Sequence, residues 1–256
     1  MVKKIIRAKQ LKEKMIREEK AERAEERELT IEEKRKKRAE EERKEEIATW
    51  KPKTKLGVQV KADKIKNIDE IFDKGMRIAE PEIVDQLLVL ESDLIAIGQA
   101  KGKFGGGKRR AWKQTQKKTA EGNIPKFTCM AVVGDKAGHL GLGVGKAQET
   151  LPARDKALRN AKLNLVRIEC GCGSFDCACG EKHSIPFKVK GKCGSASIVL
   201  MPAPKGTGLV IENECKKILA LAGIKDVYSK TTGQTRTKTN LAKACFYALQ
   251  KTSKIV

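Results

Sequence analysis

Two short apolar runs and a helical repeat follow one another in the middle of the chain. Residues 127–133 are mostly apolar, and a glycine-containing turn separates them from a second short run at 139–144. Two such runs around a turn predict a β-hairpin, and the residues that follow predict a helix over 152–167. The second run is dense in glycine and the helix is basic. A nearly bare backbone beside a basic helix indicates close contact with something large and anionic.

The elements before this hairpin complete a small mixed unit. Residues 68–72 predict a short helix that ends at Gly75, and Pro81 lies in the first turn of another helix with an apolar stripe. Residues 90–96 alternate loosely between apolar and polar and predict a strand, so the order is α-β-β-β-α. Residues 98–125 are rich in Gly, Lys and Arg. They are too polar for a core segment and predict a surface loop.

The C-terminal part of the chain predicts a second unit. Its predicted strands and helices are, in order, strands at 185–189 and 197–201, a helix at 212–222, a strand at 227–229 and a helix at 240–251. Two prolines make residues 202–208 a rigid turn. The predicted fold class is therefore α+β, with two small domains that meet near residues 168–184.

The first 48 residues have a composition of their own. They contain no Gly or Pro, and their acidic and basic residues often lie three or four positions apart. This spacing supports a solvated, charged helical extension. A mobile charged tail is an equal alternative. A coiled coil is less favoured, because no apolar heptad persists.

The charge of the chain points to a polyanionic partner. The 256 residues carry a net charge of +22, and the first 46 hold 17 basic and 14 acidic residues, so most of the excess belongs to the rest. Nucleic acid is the expected partner. A membrane surface is the alternative, but no apolar run of about 18 residues is present to span one. No secretory signal is visible, so we expect a reducing compartment.

Basic residues in the predicted loop, the hairpin and the basic helix are candidates for phosphate contacts, which position a protein on RNA without reading its sequence. His139 in the hairpin is expected at the surface or on RNA. The full set of predicted RNA contacts is Lys103, Lys108, Arg109, Arg110, Lys126, Lys136, His139, Lys146, Lys156, Arg159 and Lys162.

Half of the eight cysteines lie in one short segment. Cys170, Cys172, Cys177, Cys179 and His183 fall within fourteen residues. Zinc takes four such ligands in a tetrahedron, and short glycine-rich spacing lets the chain fold around one ion. Five candidates compete for four positions, and we favour Cys172, Cys177, Cys179 and His183, with Cys170 as the spare. A loop of reduced thiols is the alternative, since the spacing is not that of the usual zinc knuckles.

No catalytic motif emerges. The segment Gly141–Gly145 resembles a phosphate-binding loop only loosely, because its spacing is wrong and Ala147 stands where a hydroxyl should bind magnesium. The chain has two histidines and no nucleophile–base set around them. We therefore expect no enzymatic activity.

Several segments resemble one known family. The stretches that carry the resemblance are 66–85, 131–149, 156–168, 194–210 and 219–244. Together they resemble the universal S5 family of small ribosomal subunit proteins in its archaeal form, over about residues 49–252. The charged extension and the segment 110–125 depart from the pattern.

The resemblance implies a double-stranded-RNA-binding-like α-β-β-β-α domain at 49–168, a Cys-rich loop at 169–184 in which zinc is plausible, and a βαβα domain at 185–256. It also implies a structural constituent of the small subunit in the cytoplasm. Its expected partners are small-subunit rRNA, ribosomal proteins four and eight of that subunit, and messenger RNA at the entrance of its channel. Expected roles are decoding accuracy and the unwinding of messenger structure. The glycine-rich segment 105–110 would lie on rRNA. The alternatives are a non-ribosomal RNA-binding assembly factor and a nucleotide-dependent enzyme.

Overall fold

The structure is a computed structural model, which describes residues 45, 47–99 and 109–254. The chain divides at Lys51 into two units. Of the first unit, residues 45 and 47–49 are helical. The charged helical extension predicted for residues 1–48 therefore lies almost entirely outside the described residues, as do Lys103 and Lys108.

The second unit, residues 52–256, contains six helices and eleven strands among its described residues. The helices are α1 Lys55–Lys61, α2 Asp69–Asp73, α3 Pro81–Leu87, α4 Thr150–Leu163, α5 Asn213–Ala222 and α6 Lys238–Leu249. The strands are β1 Glu91–Leu94, β2 Gly98–Gln99, β3 Arg109–Arg110, β4 Trp112–Thr119, β5 Gly122–Gly134, β6 His139–Ala147, β7 Leu165–Arg167, β8 Val189–Cys193, β9 Ala196–Pro202, β10 Leu209–Val210 and β11 Val227–Thr232. None of the described helices is long and apolar enough to cross a bilayer.

Local signals set several helix ends. The Thr54 side chain accepts the Gly57 N–H at the start of α1, and Pro81 opens α3, where no amide donor is needed. Gly223 ends α5 with φ +87°, a left-handed conformation that glycine adopts without strain. These ends follow from residue type alone.

The first sheet is organised around the long strand β5. Its strands lie in the order β1-β5-β6-β7. Strand β4 pairs with the first half of β5, along the same edge at which β1 pairs with the second half. Helix α4 packs on one face of this sheet. The elements α3, β1, β5, β6 and α4 follow one another along the chain, and a segment that contains β2, β3 and β4 is inserted between β1 and β5.

The glycines of β6 let α4 lie directly on the strand. A Cβ at Gly141, Gly143 or Gly145 would overlap the backbone carbonyl oxygen of an α4 alanine, and these alanines are Ala161, Ala157 and Ala153 in turn. The alanines recur every four residues and are fully buried. The bare backbone of this segment therefore serves helix–strand packing, and the large group that lies close to it is α4.

The other face of the first sheet shares a core with the C-terminal half. Met130, Val132 and Leu140 belong to the same apolar cluster as Ile198 and Ile218. The second sheet has the order β10-β11-β9-β8, in which only β10 and β11 run parallel, and α5 and α6 belong to the same cluster.

Three element predictions are wrong in detail. The helix predicted at 152–167 ends at Leu163, and the residues after Asn164 form β7 instead, because Leu165 and Val166 pair with β6. The strand predicted at 185–189 begins only at Val189. Ile185 is fully buried, but Pro186 follows it and has no amide to donate, so the apolar run marks burial and not a strand.

The loop predicted at 98–125 is wrong for residues 98–99, 109–110, 112–119 and 122–125, which form β2, β3, β4 and the start of β5. Strands β4 and β5 pair in a hairpin. All but the last residue of β4 are exposed. A strand that is solvated on both faces lacks the apolar alternation by which strands are recognised in a sequence. Residues 100–108 of this segment lie outside the described residues.

Candidate nucleic-acid interface and candidate metal centre

One face of the β4-β5-β6 layer carries a row of lysines. Directly paired residues of neighbouring strands point to the same face. Lys113 pairs with Thr128, which pairs with Lys146 on its other side, and Lys126 pairs with Thr115. Lys117 is two positions from Thr115 and lies on this face too. We call Lys113, Lys117, Lys126 and Lys146 the lysine row.

The lysine row is free to meet an anion. All four side chains are exposed, and within the described part of the chain none of them forms an ion pair. Lys126 and Lys146 were predicted from the sequence, whereas Lys113 and Lys117 were not. Only the strand register, which the polar sequence of β4 does not reveal, places the four together.

A cleft of about 410 Å³ continues the lysine row toward the C-terminal half. It is lined by Arg109, Arg110, Trp112 and Lys113 on one side and by Arg236 and its neighbours on the other. Arg109 and Arg110 are the exposed residues of β3. Arg236 was missed in the sequence, where its only signal is a run of Thr and basic residues before α6.

The basic residues of α4 lie on the opposite side of the sheet. Lys156 and Arg159 are exposed there. Lys162 is partly buried and its Nζ lies 2.7 Å from Asp85 Oδ2, which joins α4 to α3. The predicted contacts therefore fall on two separate faces, and Lys162 has a structural partner.

His139 and Lys136 flank the turn between β5 and β6. The prediction of a surface position for His139 is wrong, because the residue is 8% exposed. Its Nδ1 lies 2.6 Å from Asp135 Oδ2 and its Nε2 lies 3.3 Å from Asp69 Oδ1, so both ring nitrogens have partners. Lys136 is exposed and its Nζ lies 2.6 Å from Glu91 Oε1.

The carboxylates around His139 set its charge state. Burial lowers its pKa, but the hydrogen bonds and charges of Asp135 and Asp69 raise it more, and the pKa lies above the ordinary value of 6.5. Burial raises the pKa of Asp135, and hydrogen bonds from His139 and the Ala137 N–H lower it further than that, below 3.8. The pair therefore exists as an ion pair in mildly acidic solution.

Three thiols and an imidazole converge after β7. The ligand atoms of Cys172, Cys177, Cys179 and His183 all lie within 4.8 Å of one another. Cys177 Sγ is 3.2 Å from Cys179 Sγ and 3.6 Å from His183 Nε2, and Cys179 Sγ is 3.6 Å from Cys172 Sγ. Zinc–sulfur bonds of about 2.3 Å in a tetrahedron place two sulfur atoms about 3.8 Å apart. The donor set and its spacing therefore fit a tetrahedral metal ion.

Cys170 does not join this group. Its side chain packs against the apolar core, and burial raises its pKa. The structure thus brings together the four residues favoured from the sequence and leaves the fifth candidate aside.

Two thiols of the cluster have pKa values that are shifted in opposite directions. The Lys205 backbone N–H, together with hydrogen bonds from Cys179, lowers the pKa of Cys177 to about 6. Desolvation and the neighbouring thiols Cys177 and Cys179 raise the pKa of Cys172 to about 11. Cys177 therefore loses its proton more readily than Cys172. A divalent cation would displace the remaining protons, because the thiolate is the ligand.

His183 is oriented by a carboxylate. Its Nδ1 lies 2.8 Å from Asp226 Oδ2, and both residues are buried. This leaves Nε2 toward the three sulfur atoms. A carboxylate behind the imidazole is the usual arrangement around a metal-binding histidine, where it fixes the tautomer and the ring.

Comparisons with known proteins agree with the resemblance seen in the sequence. The model of ribosomal protein S5, N-terminal domain, matches residues 111–169, and that of ribosomal protein S5, C-terminal domain, matches residues 191–256. Small ribosomal subunit protein uS5 of Nanoarchaeum equitans is 50% identical over 82% of this chain and 90% of its own length. The chain belongs to the ribosomal protein S5 family.

Other archaeal relatives support the same assignment. The uS5 proteins of Aeropyrum pernix and Saccharolobus solfataricus are 46% and 44% identical to this chain, each over 82% of it and over 90% and 92% of their own lengths. The archaeal form of the S5 family, expected from the sequence, is thereby confirmed.

The two candidate sites differ in their relation to the family models. Lys113, Lys117, Lys126 and Lys146 lie inside the segment matched by the N-terminal domain model. The cysteine cluster lies between the two matched segments, in residues 170–190 that neither model covers. The two family models therefore do not bear on the role of the cluster.

Proposed function

We propose that the protein is a structural constituent of the small ribosomal subunit in the cytoplasm, where it binds rRNA and does not act as an enzyme. The observation that carries this proposal is the 50% identity, over 82% of the chain, to a protein named small ribosomal subunit protein uS5. The net charge of +22 is consistent with a polyanionic partner.

The proposed rRNA contacts are the exposed basic residues on two faces of the first sheet. The lysine row and the cleft beside it form the first surface, and α4 forms the second. Phosphate contacts from lysine and arginine would dominate the affinity and make it depend steeply on salt. The contacts proposed from the sequence are Arg109, Arg110, Lys126, Lys136, Lys146, Lys156 and Arg159, with Lys103 and Lys108 outside the described residues. His139 and Lys162 are left out, because their polar atoms are bonded to carboxylates and their side chains are largely buried. Lys136 is kept, because its ion pair with Glu91 is exposed and therefore weak.

We also propose a finer architecture and location. The order α3-β1-β5-β6-α4 supports a double-stranded-RNA-binding-like unit, and the elements from β9 to α6 support a βαβα unit. By its resemblance to the family, the protein would lie near the entrance of the messenger channel beside ribosomal proteins four and eight, and would support decoding accuracy.

The lysine row provides a test of rRNA binding. Replacing Lys113, Lys117 and Lys126 together by Ala should weaken binding of the full-length protein to small-subunit rRNA and flatten its salt dependence by about one unit of slope per lost phosphate contact. The control variant replaces the exposed Lys64, Lys66 and Lys74, which removes the same charge from another surface. An equal change in both variants would mean that only net charge matters.

Sedimentation separates a resident protein from an assembly factor. Small subunits are centrifuged through sucrose gradients at increasing salt, and the protein is followed by immunoblotting. A constituent remains with the subunit at moderate salt, whereas a factor that binds transiently is released. Release at moderate salt would favour the non-ribosomal RNA-binding assembly factor.

We further propose that Cys172, Cys177, Cys179 and His183 bind one Zn²⁺. Support comes from the four convergent ligand atoms and from Asp226 behind His183. Purified under reducing conditions, the protein should contain close to one equivalent of zinc by atomic spectroscopy. Cys179→Ser should lose it, while the control Cys170→Ser should keep it. A wild-type content below about half an equivalent would contradict the proposal.

A further inference from the structure

The turn between β9 and β10 is attached to the cysteine cluster by several independent contacts. The turn comprises residues 203–208, and its two glycines have left-handed backbones, with φ +92° at Gly206 and +72° at Gly208. Within the turn, Thr207 bonds the Pro204 carbonyl through its N–H and its hydroxyl. These local bonds close the turn but do not orient it.

The first attachment runs through a proposed metal ligand. The backbone N–H of Lys205 faces the Cys177 thiol and lowers its pKa. This contact depends on where the Cys177 sulfur lies. A metal ion would fix the position of that sulfur by bonding it together with Cys172, Cys179 and His183.

The second attachment runs through Asp226. Its Oδ1 accepts the Gly208 N–H at 2.8 Å, and the Gly206 N–H also faces its carboxylate. Its Oδ2 lies 2.8 Å from His183 Nδ1. The backbone N–H groups of Lys225 and Asp226 donate in return to the His183 carbonyl, at 2.9 and 3.1 Å. Asp226 therefore connects the imidazole to two amides of the turn.

Side chains around the cluster add two further links. Ser184 Oγ donates to the Asp226 carbonyl at 2.5 Å and accepts the Ala203 N–H at 3.3 Å. Lys205 Nζ lies 2.8 Å from Glu181 Oε2, and both side chains are more than half exposed. The exposed ion pair contributes little, so the buried links carry the attachment.

We infer that metal binding holds the turn at 203–208 in place, and we call this arrangement the latch. Cys177 and Asp226 are its two positioning residues, because each connects the metal centre to backbone amides of the turn. This inference rests on the proposed zinc binding and deepens it. With the metal bound, Cys177 and His183 are fixed, and the amides of Lys205, Gly206 and Gly208 are held by fixed acceptors. Without it, both acceptors lose their anchor and the turn is released.

Amide hydrogen exchange of the full-length protein, followed by NMR with and without zinc, tests the latch. Removal of zinc by a chelator in reducing buffer should speed exchange at Lys205, Gly206 and Gly208 by about tenfold or more, the factor expected for a lost hydrogen bond to a charged acceptor. The amides of β5 and β6 serve as the control for folding and should keep their protection.

Asp226→Asn keeps the size of the side chain and removes its charge. It should weaken zinc binding about 10- to 100-fold, as expected when the partner behind a metal-binding histidine is changed, and speed exchange at Gly206 and Gly208 even with zinc present. Glu181→Ala is the matched control and should change neither, because its bond to Lys205 is exposed.

The outcomes separate the two proposals. If no zinc binds in a direct titration, the zinc proposal fails. If zinc binds with one equivalent but exchange at Lys205, Gly206 and Gly208 is the same with and without it, the zinc proposal stands and the latch is overturned. If all amides lose protection on zinc removal, including those of β5 and β6, the metal supports the whole fold and the latch is again overturned.

Discussion

Single residues around His139 join the β5–β6 turn to the helix before it. The ring lies between Asp135 of the turn and Asp69 of α2, and Phe72 of α2 stacks on it at 6.0 Å between ring centres. Arg167 of β7 also reaches Asp69, at 3.6 Å, and a second acid of α2, Asp73, at 3.3 Å. One imidazolium thus links α2 to the first sheet.

The stability of this link should depend on pH. The pKa of His139 is raised above 6.5, so its contribution is fully present below pH 6.5 and is lost as the pH rises through the folded-state pKa. The pKa of Asp135 is lowered below 3.8, so its contribution is lost as the pH falls below that value. The ion pair is therefore strongest between these two limits.

Replacing His139 by Gln should lower the free energy of unfolding by about 1 kcal/mol at pH 6 and by less at pH 8. Urea denaturation of both proteins at the two pH values measures this difference. Both proteins share every other titrating group, including the cysteine cluster, so the difference in stability between them isolates the effect of His139. Identical pH dependence in both proteins would show that His139 contributes no charge-dependent stability.

The sequence showed His139 only as a polar residue beside a glycine. Its burial could not be predicted, because only Asp135 lies near it in the sequence, and the second acid, Asp69, is 70 positions away. The four proposed zinc ligands were accessible to prediction, since all of them lie within twelve residues and local spacing limits how they can meet.

At the scale of elements, the contact of α4 with β6 depends on small residues in both partners. The alanines of α4 repeat every four positions and the glycines of β6 every two, so one face of each presents almost no side chain. Backbone lies on backbone, and there is no room for a methyl group between them.

Gly143→Ala tests this contact. The backbone of Gly143 does not have a positive φ, so only the lack of space opposes the new Cβ, which would overlap the Ala157 carbonyl oxygen and the Ala161 nitrogen. Thermal or urea unfolding should show a loss of about 1–3 kcal/mol or more. Lys146→Thr on the exposed part of the same strand is the control and should change stability by less than about 0.5 kcal/mol. If the alanine variant is as stable as the control, α4 must be able to move away from β6 without cost.

The β4–β5 hairpin shows the limit of pattern reading for elements. The apolar half of β5, from Cys129 to Val133, is buried and was predicted correctly as a strand. Residues 122–126 of β5 and all but the last residue of β4 are exposed, and backbone pairing joins the two strands into a hairpin. A solvated hairpin leaves no hydrophobic pattern in the sequence, so its lysine row emerged only from the register.

At the scale of the whole molecule, the two sheets bury their inner faces in one core. Residues of β5, β6, β9 and α5 belong to one apolar cluster. The β5–β6 turn also contacts the end of α5, where the Lys136 N–H donates to the Leu221 carbonyl at 3.0 Å. Two sequence segments that match separate domain models are thus joined by shared packing.

Leu200→Ala should therefore weaken both halves at once. Leu200 is fully buried in β9, and its truncation should cost about 2–5 kcal/mol. Hydrogen exchange should show equal losses of protection in β9 and in β5 and β6. Tyr228→Ala on the neighbouring strand β11 is the control, since that side chain is 40% exposed. Loss of protection confined to the second sheet would indicate two independently stable domains.

The sequence alone determined the features that depend on neighbouring residues. These are the central hairpin and the start of the basic helix, the glycines that allow close packing, the excess of positive charge and the thiol and imidazole ligands that lie close in the chain. Each arises from local spacing, from residue type or from a sum over the chain, and none requires knowledge of distant contacts.

Only the tertiary structure decided how these features combine. It placed His139 inside, between acids from two elements, aligned the lysines of β4, β5 and β6 by strand register, and brought Asp226 and the turn at 203–208 to the cysteine cluster. In each case at least one partner is far away in the sequence. The partners meet because the chain buries one shared core, and the pattern of apolar and polar residues along the sequence does not show which distant residues that core brings together.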